Sequence, residues 1–75
     1  MTSFKKVIDI AIPVLDEERF LKESISSVLK FSIPRNIKIM IYIIDGGSKD
    51  QTLNIAKSFS EEYENIVVLY NEKKI

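Results

Sequence analysis

The sequence predicts an α/β fold, a three-stranded parallel sheet laid down as strand, helix, strand, helix, strand. Three observations carry that expectation. Ile37 to Ile44 is β-branched and apolar on both faces over most of its length, as in a strand buried within a parallel sheet. Apolar residues recur at helical spacing on either side of it, at Phe20, Leu21, Ile25, Val28 and Leu29, then at Leu53, Ala56, Phe59 and Tyr63. Each connection between strands is long enough for the crossover helix that parallel neighbours require.

Taken in order, Val7 to Val14 forms a nearly continuous apolar run interrupted by Pro13, which reads as the first strand. Asp16 follows as the expected N-cap of the first helix, with Glu17 and Glu18 at the positive end of its dipole. That helix extends to about Lys30, and Ser32 to Asn36, centred on Pro34, is a connection. The second strand ends sharply at Asp45-Gly46-Gly47. Ser48, with Gln51 three residues later, has the form of a capping box opening the second helix. Asn65 ends that helix, and Ile66 to Tyr70 is a short third strand.

Composition narrows the function classes. A chain of 75 residues makes one small domain or a piece of a larger one. It has no cysteine for disulfides or thiolate-bound zinc, and no histidine, the commonest general base. Basic and acidic residues balance at 11 each, which gives no argument for nucleic acid or an anionic membrane. The pairs Lys5-Lys6 and Lys73-Lys74 read as solvated ends. No apolar run approaches the roughly 20 residues of a membrane-spanning helix. The start does not read as a signal peptide, so a cytoplasmic location is the expectation, with any membrane attachment left to parts outside this chain.

The handedness of crossovers has a structural consequence. Right-handed connections place both helices on one face of a Rossmann-like half-sheet of strand order 3-2-1. Ile39, Ile41 and Ile43 should then face opposite to Met40, Tyr42 and Ile44. One face of the sheet is left bare, to be covered by more of the same protein or by a second copy in a homo-oligomer.

Ligands of open parallel sheets bind beyond the carboxyl ends of the strands. Two loops occupy that edge, Pro13-Val14-Leu15-Asp16-Glu17-Glu18 and Asp45-Gly46-Gly47-Ser48-Lys49-Asp50. They offer carboxylates, two glycines for close backbone approach, and the N–H groups of two helix N-termini. Each feature also has a structural explanation: an acidic first turn, an ordinary glycine turn, a serine cap. Asp45, at a strand end without an obvious partner, stands out.

With both loops in view, the chain resembles the start of family 2 glycosyltransferases of the GT-A fold. Ile12-Pro13-Val14-Leu15-Asp16-Glu17-Glu18 is similar to that family's opening Ile-Pro-Val-Tyr-Asn-Glu-Glu. Ser24-Ile25-Ser26-Ser27-Val28-Leu29 matches its Ser-Ile-x-Ser-Val-Leu segment, and Ile44-Asp45-Gly46-Gly47-Ser48-Lys49-Asp50-Gln51-Thr52 its Val-Asp-Asp-Gly-Ser-Thr-Asp-Gly-Thr. Asn65 to Glu72 fits its third strand.

The resemblance implies that residues 1–75 are one partial domain, the nucleotide-sugar-binding half of a glycosyltransferase. It implies a complete enzyme that moves a sugar from a nucleotide-sugar to an acceptor hydroxyl, with inversion. Pro13, Leu15, Glu17, Ile44, Asp45 and Gly46 would contact the nucleotide. Leu15 stands where the family has tyrosine, and Gly46 where it has the second aspartate, which reads the base edge. The family's divalent metal, magnesium or manganese, is held by an Asp-x-Asp motif on a later strand, and its base is a later carboxylate. After Tyr70 only Asn71-Glu72-Lys73-Lys74-Ile75 follows, so this chain is expected to bind no metal and to lack transferase activity alone.

Two other classes compete. A dinucleotide-binding oxidoreductase would need Gly-x-Gly-x-x-Gly after the first strand, where Pro-Val-Leu-Asp-Glu-Glu stands. A non-catalytic α/β binding or receiver-like signalling module would also place carboxylates at strand ends.

Overall fold

A computed structural model describes residues 6–31 and 33–71. Ser32, Glu72 and the basic residues Lys5, Lys73 and Lys74 lie outside the described residues. The elements run β1 (Lys6–Val14), α1 (Leu21–Leu29), β2 (Ile37–Asp45), α2 (Thr52–Glu62) and β3 (Ile66–Tyr70).

The sheet has the order β1-β2-β3 with both pairings parallel, as the crossover lengths predict. Register puts Ile12 beside Ile43 and Ile43 beside Val68, and the last row is Val14, Asp45 and Tyr70. Alternation along β2 does the sorting. Ile41 and Ile43 are buried, in one core with Leu21 and Ile25 of α1 and Ala56 of α2. Met40, Tyr42 and Ile44 point the other way and are only half-buried. Burying each isoleucine that is fully enclosed (Ile25, Ile41, Ile43) contributes about 1.5–3 kcal/mol.

The opposite face carries Ala11 and Pro13 of β1, exposed, with Val67, half-buried, and Leu69 of β3. The shortest dimension of the molecule, 17 Å, accommodates one sheet and one layer of helices. Both helices therefore share a face and the other stays bare. Among the described residues no helix is long and apolar enough to cross a membrane.

Both helix starts differ from expectation. α1 begins at Leu21, not beside Asp16, because Asp16 takes a left-handed φ of 49° and turns toward the second loop. A turn over Glu17 to Phe20 comes first, closed by the Phe20 and Leu21 N–H groups on the Glu17 carbonyl at 3.1 and 2.9 Å. Phe20 is consequently 62% exposed and does not join the buried stripe. α2 begins at Thr52, and the Ser48 hydroxyl makes no capping bond to Gln51. Its buried stripe runs through Thr52 and Ala56 with Ile55, Phe59 and Tyr63 alongside, leaving Leu53 outside the core. Phe59 and Tyr63, one turn apart, stack with ring centroids 6.3 Å apart.

Candidate functional site

The six residues expected to meet a nucleotide gather at the carboxyl edge of β1 and β2. Pro13 and Ile44 are register partners on the bare face, one exposed and one half-buried. Leu15, 41% exposed, lies just beyond, and a Cβ on Gly46 would meet its Cδ1 at 3.9 Å and the Val14 carbonyl at 3.7 Å. These are ordinary contacts, so the position of Gly46 has room for a side chain. Glu17 is exposed; its Oε2 accepts the Leu15 N–H at 3.3 Å, while Oε1 makes no hydrogen bond among the described residues.

Asp45 differs from the other five in being fully buried. It lies on the helix side of β2, and its Oδ2 accepts the N–H groups of Gly47 and Ser48, each at 3.0 Å. That turn requires Gly47, whose φ is 101°. The second carboxylate oxygen, Oδ1, is buried without a hydrogen-bond partner. Burial raises the Asp45 carboxyl pKa, and nearby Asp50 does too. The nearby Ser48 hydroxyl and the hydrogen bonds from the Ser48 and Gly47 N–H groups outweigh both, holding it below the usual carboxylate range. In this structure Asp45 shapes the glycine turn from beneath.

Between the loops runs a set of bonds that residue patterns along one chain do not reveal. The Asp16 N–H donates to the Ser48 hydroxyl at 2.9 Å, and the Lys49 N–H returns a bond to Asp16 Oδ1 at 2.7 Å. The Glu18 N–H donates to Asp50 Oδ2 and the Gln51 N–H to Glu18 Oε1, both at 3.2 Å. Between these two reciprocal pairs, the Glu17 N–H donates to the Thr52 hydroxyl at 2.7 Å. Thr52 in turn donates its hydroxyl and its N–H to Asp50 Oδ1.

The lacing corrects one expectation. The loop N–H groups of Asp16, Glu17, Glu18, Ser48, Lys49 and Gln51, and that of Thr52 at the head of α2, are not open to a diphosphate, because each already has a partner within the protein. The implied divalent cation fares no better. Among the described residues no group of three or more acidic or imidazole side chains is clustered to hold one, and Asp16, Glu18, Asp45 and Asp50 spend carboxylate oxygens on backbone N–H groups. The residues present do not fit a metal. What they offer is an apolar shelf (Pro13, Leu15, Ile44) beside an exposed carboxylate.

Asp16, Glu18, Ser48, Asp50 and Thr52 were not expected to work across the loops. Asp50 spaced two from Thr52 is the trace they leave in sequence, since a short acid can reach both polar groups of a residue two places on.

The model of the family described as "Glycosyl transferase family 2" matches residues 9–74. The chain is 30% identical over 74 residues to the glycosyltransferase AglE of Haloferax volcanii, covering 99% of this chain and 24% of that protein. It is 39% identical over 59 residues to the minor teichoic acid biosynthesis protein GgaA of Bacillus subtilis, 79% of this chain and 13% of that one. A Methanococcus voltae relative, named as a dolichyl N-acetylglucosaminyl phosphate diacetamido-dideoxyglucuronosyltransferase, is 33% identical over 70 residues, 89% of this chain and 21% of its own length. The chain thus spans about a quarter or less of these relatives. The match runs through β1, both loops, β2 and β3, the elements that build the edge described above. The chain belongs to glycosyl transferase family 2.

Proposed function

We propose that this chain is the nucleotide-binding half of a GT-A domain, and that its carboxyl edge holds the base and ribose of a nucleotide-sugar donor. The observation that carries the reading is the placement at one sheet edge of the Pro13–Ile44 pair, of Leu15 within contact range of the Gly46 position, and of the exposed Glu17, which accepts the Leu15 N–H. An apolar shelf suits the flat face of a base, and a carboxylate oxygen without a partner suits the ribose hydroxyls. Asp45 contributes by fixing the Gly46-Gly47 backbone. Gly46, where the family carries a base-reading aspartate, leaves space at the base edge.

Transfer of the sugar to an acceptor hydroxyl belongs to the whole protein, which supplies the cation and the base. Relatives named for teichoic acid and lipid-linked sugar synthesis support glycoconjugate assembly as its setting. A receiver-like signalling role finds no support, since such a domain would carry its acceptor aspartate after the third strand, where the sequence has Tyr70-Asn71-Glu72.

The test is calorimetric titration of the full chain with UDP, GDP, CDP and ADP. One nucleotide should bind in preference to the others, and Glu17→Gln should weaken it about tenfold, as loss of a charge-assisted bond to a hydroxyl does. Equal binding of all four, untouched by the substitution, contradicts the reading.

A further inference from the structure

The polar lacing is centred on one buried residue that the nucleotide contacts do not require. Thr52 is fully enclosed at the start of α2, 35 positions along the chain from the residue whose N–H it receives. Its hydroxyl has a single proton, and its partners dictate where that proton goes. The Glu17 N–H can only donate, so the Thr52 oxygen accepts it. Asp50, when ionised, can only accept, so the Thr52 hydroxyl donates to Asp50 Oδ1. The other oxygen of Asp50 receives the Glu18 N–H.

Two consecutive amides of the first loop are thereby held by one Thr-Asp unit at the head of α2. The amide at the centre, Glu17, belongs to an exposed residue whose carboxylate accepts the N–H of Leu15, just beyond the end of β1. Depression of the Asp50 pKa agrees with this arrangement: burial raises it, and the bonds from Thr52 and Glu18 more than compensate, so the acceptor stays ionised.

We propose that Thr52 and Asp50 are positioning residues for nucleotide binding: they clamp the Glu17-Glu18 backbone to α2 and so set the place of the Glu17 carboxylate relative to the Pro13–Ile44 shelf. The proposal rests on the nucleotide-binding reading above. Its physical basis is preorganisation. A loop already held in one conformation loses little freedom when a ligand arrives, whereas an untethered loop must be ordered at the expense of affinity. Neither Thr52 nor Asp50 needs to touch the ligand for this to operate.

The experiment uses the full chain and three variants, Thr52→Val, Thr52→Ser and Asp50→Asn. Valine matches threonine in shape and removes only the hydroxyl; serine keeps the hydroxyl and removes the methyl. Asp50→Asn keeps the buried Thr52 side chain but takes away the carboxylate used by the Thr52 hydroxyl and the Glu18 N–H, and it serves if Thr52→Val fails to fold. Each protein is titrated with UDP, GDP, CDP and ADP, and amide exchange at Glu17 and Glu18 is followed by NMR. Thr52→Val and Asp50→Asn should exchange at these amides about tenfold faster, as loss of one hydrogen bond implies, and should bind the preferred nucleotide about fivefold more weakly. Thr52→Ser should restore both.

Faster exchange with unchanged affinity overturns the positioning role, and unchanged exchange overturns the clamp. Loss that serine does not restore assigns the effect to packing and overturns the proposal as well. If the unsubstituted chain binds none of the four nucleotides, the functional reading itself fails, a result read from the parent protein before any variant is compared.

Discussion

At the scale of single residues, the two adjacent glycines of the second loop have different tasks. Gly47 has a φ of 101°, a region that side chains rarely enter, and its N–H is held by Asp45. Gly47→Ala should therefore destabilise the chain by about 1 kcal/mol or more. Gly46 has ordinary space around its missing Cβ, and Gly46→Ala should stay within about 0.5 kcal/mol of the parent. Urea denaturation of the pair checks this, and an equal cost at both sites contradicts it. The carboxylates add a dependence on pH. Asp45 and Asp50 both lie below their ordinary values in the folded chain. A group depressed on folding binds its proton more readily when unfolded, so its contribution is present above the unfolded value of about 3.9 and fades as pH falls through the folded one. The urea midpoint should hold steady from pH 7 to about 5 and drop below about 4, and Asp50→Asn should flatten part of that drop. A midpoint that rises on acidification through this window contradicts the assignment.

At the scale of elements, alternation along β2 decides which side chains matter. Ile41→Ala should cost about 2–5 kcal/mol, because Ile41 is enclosed by both helices' core residues. Met40→Ala, on the half-buried face, should cost clearly less, and thermal melts of the two separate the cases. The strands were legible because their pattern is local: β-branched runs bounded by Asp45-Gly46-Gly47 and by Asn65 correspond closely to β2 and β3. Asn65 also donates its side-chain amide to the Ile39 carbonyl at 3.1 Å, closing the ladder where β3 begins.

The helix starts were less legible, for a definable reason. Asp16 and Ser48 are residue types that cap helices, and local preference assigns them to the helices that follow. Here each finds its partner in the other loop, 32 or 33 positions away, and that distance is invisible to any local pattern. The same bonds occupy the N–H groups of Asp16 and Lys49. Burial of Asp45 was hidden likewise, since alternation says which face a strand residue takes but not whether a loop closes over it.

At the scale of the whole molecule, one layer of helices covers one face of the sheet, and the face bearing Tyr42, Ile44 and Leu69 remains uncovered. We propose that further parts of the enzyme, or a second copy, cover it. The carboxyl edge does not wait for that cover: its two loops are laced to each other within these residues. The central claim, that this edge receives the base and ribose, is tested most directly by mapping amide NMR shifts as nucleoside diphosphate is added to the chain, with and without manganese. Shifts should be confined to Leu15–Glu18 and Asp45–Ser48, saturate in the millimolar range, about −4 kcal/mol, and be indifferent to the metal. Shifts centred elsewhere, such as the groove of Lys22, Phe59 and Tyr63 between the helices, or micromolar binding strengthened by manganese, would contradict it.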